Sequence, residues 1–307
     1  MMAIWTSVFM GWSLGANDSA NTFGTAVSSR MVSFRLATFL VTVFAVAGAW
    51  FQGAAGMETL RGLTTHTART AWMVTLAAAL VMTLMTWLRL PASASQATVG
   101  ALVGLGLAQN DVHWGGLGKV VACWIGTPIG AALACVGVYR LLAALVRVWK
   151  PSVFVYDPVM RAALLLCGCY SAYALGANNV ANVSAMLAEG MGFSVRTAAL
   201  FGGLTIGLGA VTGSRGVMRT VGRGIVKLDV FASLCTVLAL ALTVHVYAMI
   251  GVPVSTSQGI VGALIGIGVV KGMHVVNGKM FGRIALGWLS TPFLAGALTW
   301  ALVRLSL

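Results

Sequence analysis

Residues 91–107, PASASQATVGALVGLGL, are written a second time at 253–269 as PVSTSQGIVGALIGIGV, with ten of seventeen positions identical at an offset of 162. Residues 14–21 (LGANDSAN) return at 175–182 as LGANNVAN, at an offset of 161. Trp124, Thr127 and Pro128 return as Trp288, Thr291 and Pro292, at an offset of 164. Apolar segments share Gly, Ala and Leu by chance, but they do not readily reproduce Asn-x-x-Ala-Asn and Ser-x-Ser-Gln in step. The chain therefore builds one structural unit twice.

Its surroundings follow from composition. Residues of the AVILMFWYC set make up 59% of the chain and charged residues only 8%, against roughly 45–50% and 25% in soluble domains. So much apolar surface does not fit inside one aqueous core. This excludes a cytosolic enzyme, a disordered chain and a nucleic-acid binder as first readings, and makes lipid the natural solvent. About ten apolar segments are long enough to span or half-span a bilayer: 3–29 and 160–189 (both interrupted), 35–56, 68–88, 91–108, 119–147, 196–212, 229–250, 253–270 and 283–305. The expectation is an all-α integral membrane protein with about ten transmembrane or half-spanning helices. Residues 1–148 form the first repeat, 149–160 a short cytoplasmic linker and 161–307 the second repeat. Five crossings per repeat, an odd number, make the second copy enter from the opposite face, which predicts inverted repeats with interrupted helices.

The formal charge is +13, from 19 Lys and Arg against 6 Asp and Glu. These basic residues lie between apolar runs and read as topology signals. If every segment crosses once, fourteen of the nineteen fall in odd-numbered loops, among them Arg30, Arg89, Arg147, Lys150, Arg215, Lys227 and Lys271. The positive side is cytoplasmic, so both termini are expected outside. Arg215, Arg219 and Arg223 read as a basic face near lipid headgroups. The N-terminal stretch lacks a basic n-region, so no cleaved signal peptide is expected. Cys123, Cys135, Cys167, Cys169 and Cys235 lack metal-ligand spacing and read as small buried residues.

Four segments depart from the apolar pattern. Two contain Gly15-Ala16-Asn17-Asp18 and Gly176-Ala177-Asn178-Asn179; two begin at Pro91 and Pro253. Gly permits a break, Asn and Asp cap helices, and Pro followed by Ser or Thr suits a helix start. Four half-helix N-termini inside the membrane are thus expected. Such ends carry free N–H groups and partial positive charge, suited to a small oxyanion. Ser93, Ser95, Ser255, Thr256 and Ser257 add hydroxyls. Asn17, Asn21, Asn178, Asn179 and Asn182 add amides that serve an anion or a cation. Gln96 and Gln258 serve either a ligand or helix–helix hydrogen bonding. Asp18 is the one acid in these segments, with no Lys or Arg nearby in sequence. A buried Asp costs about 2.5–3.5 kcal/mol on insertion scales and needs a partner; Na⁺ or a proton suits it, with Asn17, Asn178 and Asn179 as further cation ligands. The glycines of GALIGIG read as close helix packing. His66, His113, His245 and His274 read as loop or interface residues. Glu58, Asp111, Asp157 and Asp229 read as solvated or capping acids at segment ends, and Glu189 stays ambiguous.

The segments GANDSANTFGTAVSSR (15–30), GANNVANVSAML (176–187), FGGLTIGLGAVTGSRGVMRTVG (201–222) and GVPVSTSQGIVGALIGIGV (251–269) resemble the repeated signatures of the inorganic phosphate transporter (PiT) family. The resemblance covers nearly the whole chain. It implies a multi-pass permease of the cell or inner membrane, often homodimeric, importing inorganic phosphate with Na⁺ or H⁺ and using no other cofactor. By the same resemblance Asn17, Asp18 and Asn21 match the first signature, and Asn178, Asn179 and Asn182 the second. Ser93, Ser95, Gln96, Ser255, Thr256, Ser257 and Gln258 match the half-helix starts. Asn179 stands where many phosphate members carry Asp, Gln258 where many have His, and Gln52 where some have Glu. Some relatives look like sulfate permeases.

The leading expectation is a cation-coupled phosphate symporter. A sulfate or related oxyanion permease of the same fold is the nearest alternative, and a passive anion channel is another. An intramembrane enzyme is disfavoured, because no His-Glu-x-x-His, paired-Asp or nucleophile–base arrangement occurs. No nucleotide-binding P-loop occurs either.

Overall fold

A computed structural model describes residues 2–190, 192–226, 228–273 and 277–306. Lys227 and His274 lie outside the described residues, as do the side chains of Glu189 and Arg223. The first repeat contains α1 (Met2–Ser28), α2 (Phe34–Gln52), α3 (Ala54–Arg61), α4 (Ala68–Trp87), α5 (Ala94–Gln109) and α6 (Trp114–Trp149). The second contains α7 (Val153–Asn179), α8 (Ala181–Gly190), α9 (Val195–Gly213), α10 (Arg215–Arg219), a π-helical turn (Thr220–Gly224), α11 (Val230–Ile250), α12 (Thr256–Lys271) and α13 (Gly278–Ser306). Among the described residues, seven helices are long and apolar enough to cross a membrane, α6 at 36 residues being one of them. The chain is a multi-pass membrane protein. Of the stretch 149–160, residues 153–160 form the first turns of α7.

One expected break is absent. α1 runs unbroken through Gly15 to Asp18, so these residues sit inside a helix and cap nothing. The counterpart in the second repeat is interrupted at Val180, between α7 and α8, and even there Val180 N–H still reaches Gly176 C=O at 3.2 Å. Glycine in mid-helix permits a break without enforcing one. Both glycines serve close packing instead. A Cβ on Gly15 would fall 1.9 Å from the carbonyl oxygen of Ile206, and one on Gly176 would fall 2.0 Å from that of Ala45. Ile206 and Ala45 are themselves 161 apart.

The same mirror relation governs the rest of the bundle. α1 packs on α9 as α7 packs on α2, and α5 packs on α13 as α12 packs on α6. Gly100 meets the Pro292 carbonyl and Gly262 the Pro128 carbonyl, confirming the expected packing role of the small-residue runs. Each unit thus docks helices on the other copy as well as packing α1 on α4, or α7 on α11, within itself.

The chain's polar ends also sort into two groups. At one end Thr65 N–H donates to Asp111 at 2.9 Å, and Arg69 reaches the Ser306 carbonyl at 3.0 Å. At the other Lys271 pairs with Asp229, Arg215 lies over the Phe34 ring at 4.6 Å, and Asn277 N–H donates to the Ile225 carbonyl. Every pair joins loops of the same parity, as an alternation of crossings requires. Asp229 caps α11 through Ala232 N–H at 2.7 Å, so its end-of-segment reading holds. His245 bridges helices: its ring nitrogens meet Gln52 at 2.8 Å and Tyr170 at 2.7 Å. The five cysteines are unpaired and buried or half-buried.

Candidate functional site

Two short helices begin in the protein's interior. α5 starts after Ser93, whose hydroxyl accepts from Gln96 N–H at 3.2 Å; α12 starts after Ser255, whose hydroxyl accepts from Gln258 N–H at 3.1 Å. Pro91 and Pro253 precede these caps and hold the approach extended. Ser93, Ser95, Ser255, Thr256 and Ser257 are all buried. Capping satisfies one of the first N–H groups of each helix and leaves the earlier ones directed at the interior. Two partial positive charges, each about half an elementary charge, therefore meet, and among the described residues no Lys or Arg is buried.

Asparagines fasten these starts to the long helices. Asn17 of α1 donates to the Leu90 carbonyl at 3.0 Å and to Thr86 at 2.9 Å, and it accepts from Ala92 N–H at 2.9 Å. Asn178 of α7 donates to the Val254 carbonyl at 2.8 Å and accepts from Val254 N–H at 3.2 Å. Both amides satisfy backbone that the prolines withhold from regular helix. Thr86 and the carbonyls of Leu90 and Val254 carry no recognisable signal in the sequence, since the backbone supplies most of this contact.

The next residues along each helix cross between repeats. Asn179 donates to Asp18 Oδ2 at 2.9 Å, and Asn179 Oδ1 accepts from Asn178 at 2.6 Å. Asn21 donates to Thr256 at 3.1 Å, while Asn182 Nδ2 lies 3.5 Å from Ser95 Oγ. Ser95 donates to the Val254 carbonyl at 2.9 Å, and Ser255 and Ser257 share a hydrogen bond of 2.9 Å. All the residues singled out in the four motif segments are thus buried, and α1, α7–α8 and the starts of α5 and α12 converge.

The pattern of unmet hydrogen bonds shows what the site can hold. Asp18 is 1% exposed, and its Oδ1 has no partner. The side-chain oxygens of Asn21, Asn182, Gln96 and Gln258 are also buried and unpartnered, as is the hydroxyl of Thr98. A buried polar atom without a partner costs about 1–3 kcal/mol, so an accumulation of them calls for a ligand or water. Carboxylate and amide oxygens suit a hard cation such as Na⁺; helix N–H groups and hydroxyls suit an oxyanion. Among the described residues no three His, Cys, Asp or Glu side chains converge on a metal position.

Comparison with known proteins shows the family and the overall fold. The chain is 29% identical to a Methanocaldococcus jannaschii protein provisionally named a phosphate permease, over 94% of this chain and 92% of that one. It is likewise 29% identical to the sulfate permease CysP of Bacillus subtilis, over 100% of this chain and 88% of the relative. A solved structure described as the sodium-dependent phosphate transporter superposes with a TM-score of 0.87 at 22% identity, covering 100% of this chain and 99% of that chain, which establishes the shared fold. The family model for the phosphate transporter family matches residues 14–160 and, a second time, residues 150–299. The chain is a member of the phosphate transporter family, a membrane transporter and not an enzyme.

Proposed function

We propose that the protein is a symporter that imports inorganic phosphate together with Na⁺ or H⁺. The observation that carries this reading is Asp18: a buried acid with one unpartnered oxygen, beside two inward helix starts, with no Lys or Arg among the buried residues described. Phosphate near neutral pH carries between one and two charges. In a low dielectric an uncompensated Asp18 carboxylate would repel such an anion, so a co-bound cation lowers the cost for both carboxylate and anion. In this reading the hydroxyls and free N–H groups around Ser93, Ser95, Gln96, Ser255, Thr256, Ser257 and Gln258 take the anion, with Asn21 and Asn182 at its edge. Asp18 takes the cation, with Asn179 beside it, while Asn17 and Asn178 hold the two helix starts in place.

The two halves, 1–148 and 161–307, form a multi-pass permease of the cell membrane with both termini outside, working as a homodimer. The test is uptake of radiolabelled phosphate into proteoliposomes under imposed Na⁺ or proton gradients. Concentrative uptake under one gradient is expected, and its loss in Asp18→Asn. Uptake that ignores both gradients identifies a passive channel and refutes symport. Sulfate is the second reading, favoured by the full-length similarity to the Bacillus subtilis sulfate permease. Uptake blocked by sulfate but not by unlabelled phosphate establishes that alternative.

A further inference from the structure

The repeats match at most of the site's polar positions, Thr256 answering Ala94 and Thr98 answering Ile260 being departures in hydroxyl content, and they differ in charge at one position. Asn17 answers Asn178, Asn21 answers Asn182, Ser93 answers Ser255, Ser95 answers Ser257 and Gln96 answers Gln258; Asp18 answers Asn179. The unmet acceptors follow the same mirror, in the pairs Asn21 with Asn182 and Gln96 with Gln258. Each half therefore supplies a comparable set of oxygens, but only the first supplies a charge. Among the described residues Asp18 is the one buried side chain with a formal charge.

Building on the symport reading, we infer that the site carries one monovalent cation per phosphate, at Asp18, and that Asn179 sets this number by withholding a second carboxylate. Asn179 acts on both mirror positions. Its amide donates to Asp18 Oδ2 at 2.9 Å and leaves Oδ1 as the open oxygen for the cation. Its own oxygen is engaged by Asn178 at 2.6 Å, so a cation in the mirror position meets a neutral oxygen already hydrogen-bonded. A second buried cation without a carboxylate pays the full desolvation cost. Asp18 with its cation is neutral, and the two helix starts together offer about one positive charge. That total matches the phosphate monoanion, so one cation and one monoanion cross together and no net charge moves.

The test is the steady accumulation of phosphate in proteoliposomes at mildly acidic pH, where the monoanion dominates. With one cation, a tenfold Na⁺ gradient or a one-unit pH gradient supports roughly tenfold accumulation; with two cations it supports roughly a hundredfold. The wild type is expected to show the first power of the gradient and no change under a potassium–valinomycin potential. Asn179→Asp is expected to move toward the second power and to respond to an inside-negative potential. The double variant Asp18→Asn with Asn179→Asp moves the carboxylate to the mirror position and reverses the direction of the amide bond; it is expected to regain the gradient-driven uptake lost in Asp18→Asn alone. Second-power accumulation or a potential response in the wild type overturns the inference, and leaves symport intact. So does a folded Asn179→Asp protein that stays at the first power, or a folded double variant without uptake. Wild-type uptake that ignores both gradients overturns this inference and the symport reading together. The wild-type measurements decide the matter should either variant fail to fold.

Discussion

Gly15 lies so close to Ile206 that a methyl group on its Cα would fall 1.9 Å from the Ile206 carbonyl oxygen. The obstacle is backbone, which cannot rotate away as a side chain can. Gly15→Ala is therefore expected to force α1 and α9 apart, at a cost of about 1–3 kcal/mol or more. Gly176→Ala, against the Ala45 carbonyl at 2.0 Å, is expected to cost a similar amount because the contact is the mirror copy. Gly118→Ala is the control: nothing lies within 4 Å of its added Cβ, and Ala suits a helix better by about 1 kcal/mol. Unfolding midpoints in detergent separate the three, with Gly118→Ala at or above the wild type.

Asn17→Ala removes the partner of both the Leu90 carbonyl and the Ala92 N–H. Each buried backbone group left unpaired costs about 1–3 kcal/mol. Asn178→Ala orphans the carbonyl and N–H of Val254 in the same way. The two variants are expected to lose comparable stability in denaturant titrations, and to lose uptake because the start of α5 or α12 is released. A stable Asn17→Ala protein with normal uptake contradicts the positioning role.

Acid is expected to act first at the ends of the bundle. Hydrogen bonds from the Thr65 hydroxyl and N–H hold Asp111 below the usual carboxylate range. At Asp229 burial raises the pKa, but the bond from Lys271 and the Ala232 cap outweigh it, and the net shift is downward. A carboxyl depressed in the folded protein stabilises fully above its unfolded value, near 4, and loses that contribution as pH falls through the folded value. Melting temperatures are therefore expected to stay level for these groups above about pH 5 and to fall below pH 4. Asp111→Asn and Asp229→Asn should each show a shallower fall. An identical pH slope in the wild type and both variants removes these contacts from the explanation.

Much of this architecture is legible in the chain. Apolar length locates the helices, and the repeated PxSxSQ and LGAN segments locate the inward helix starts and their partners. The break expected at Gly15–Asp18 is not there, because glycine's freedom is used to admit the Ile206 carbonyl, a neighbour almost two hundred residues away. Asp18 is readable as a buried acid in need of a partner, yet its bond to Asn179 is a contact between repeats that no local pattern encodes. Likewise the residue types of Asn17 and Asn178 do not reveal that their amides hold Leu90, Ala92 and Val254. Side-chain chemistry is written locally; which backbone it meets depends on how the two copies dock.

Equilibrium binding of phosphate to the purified protein, by calorimetry over a series of Na⁺ concentrations and pH values, tests the shared anion and cation site most directly. Ligands that neutralise each other in one pocket must strengthen each other's binding reciprocally. Phosphate affinity in the wild type is expected to rise with Na⁺ or with acidity, and Asp18→Asn is expected to abolish that dependence. Phosphate affinity that is indifferent to both cations, or equally cation-dependent in Asp18→Asn, contradicts the site.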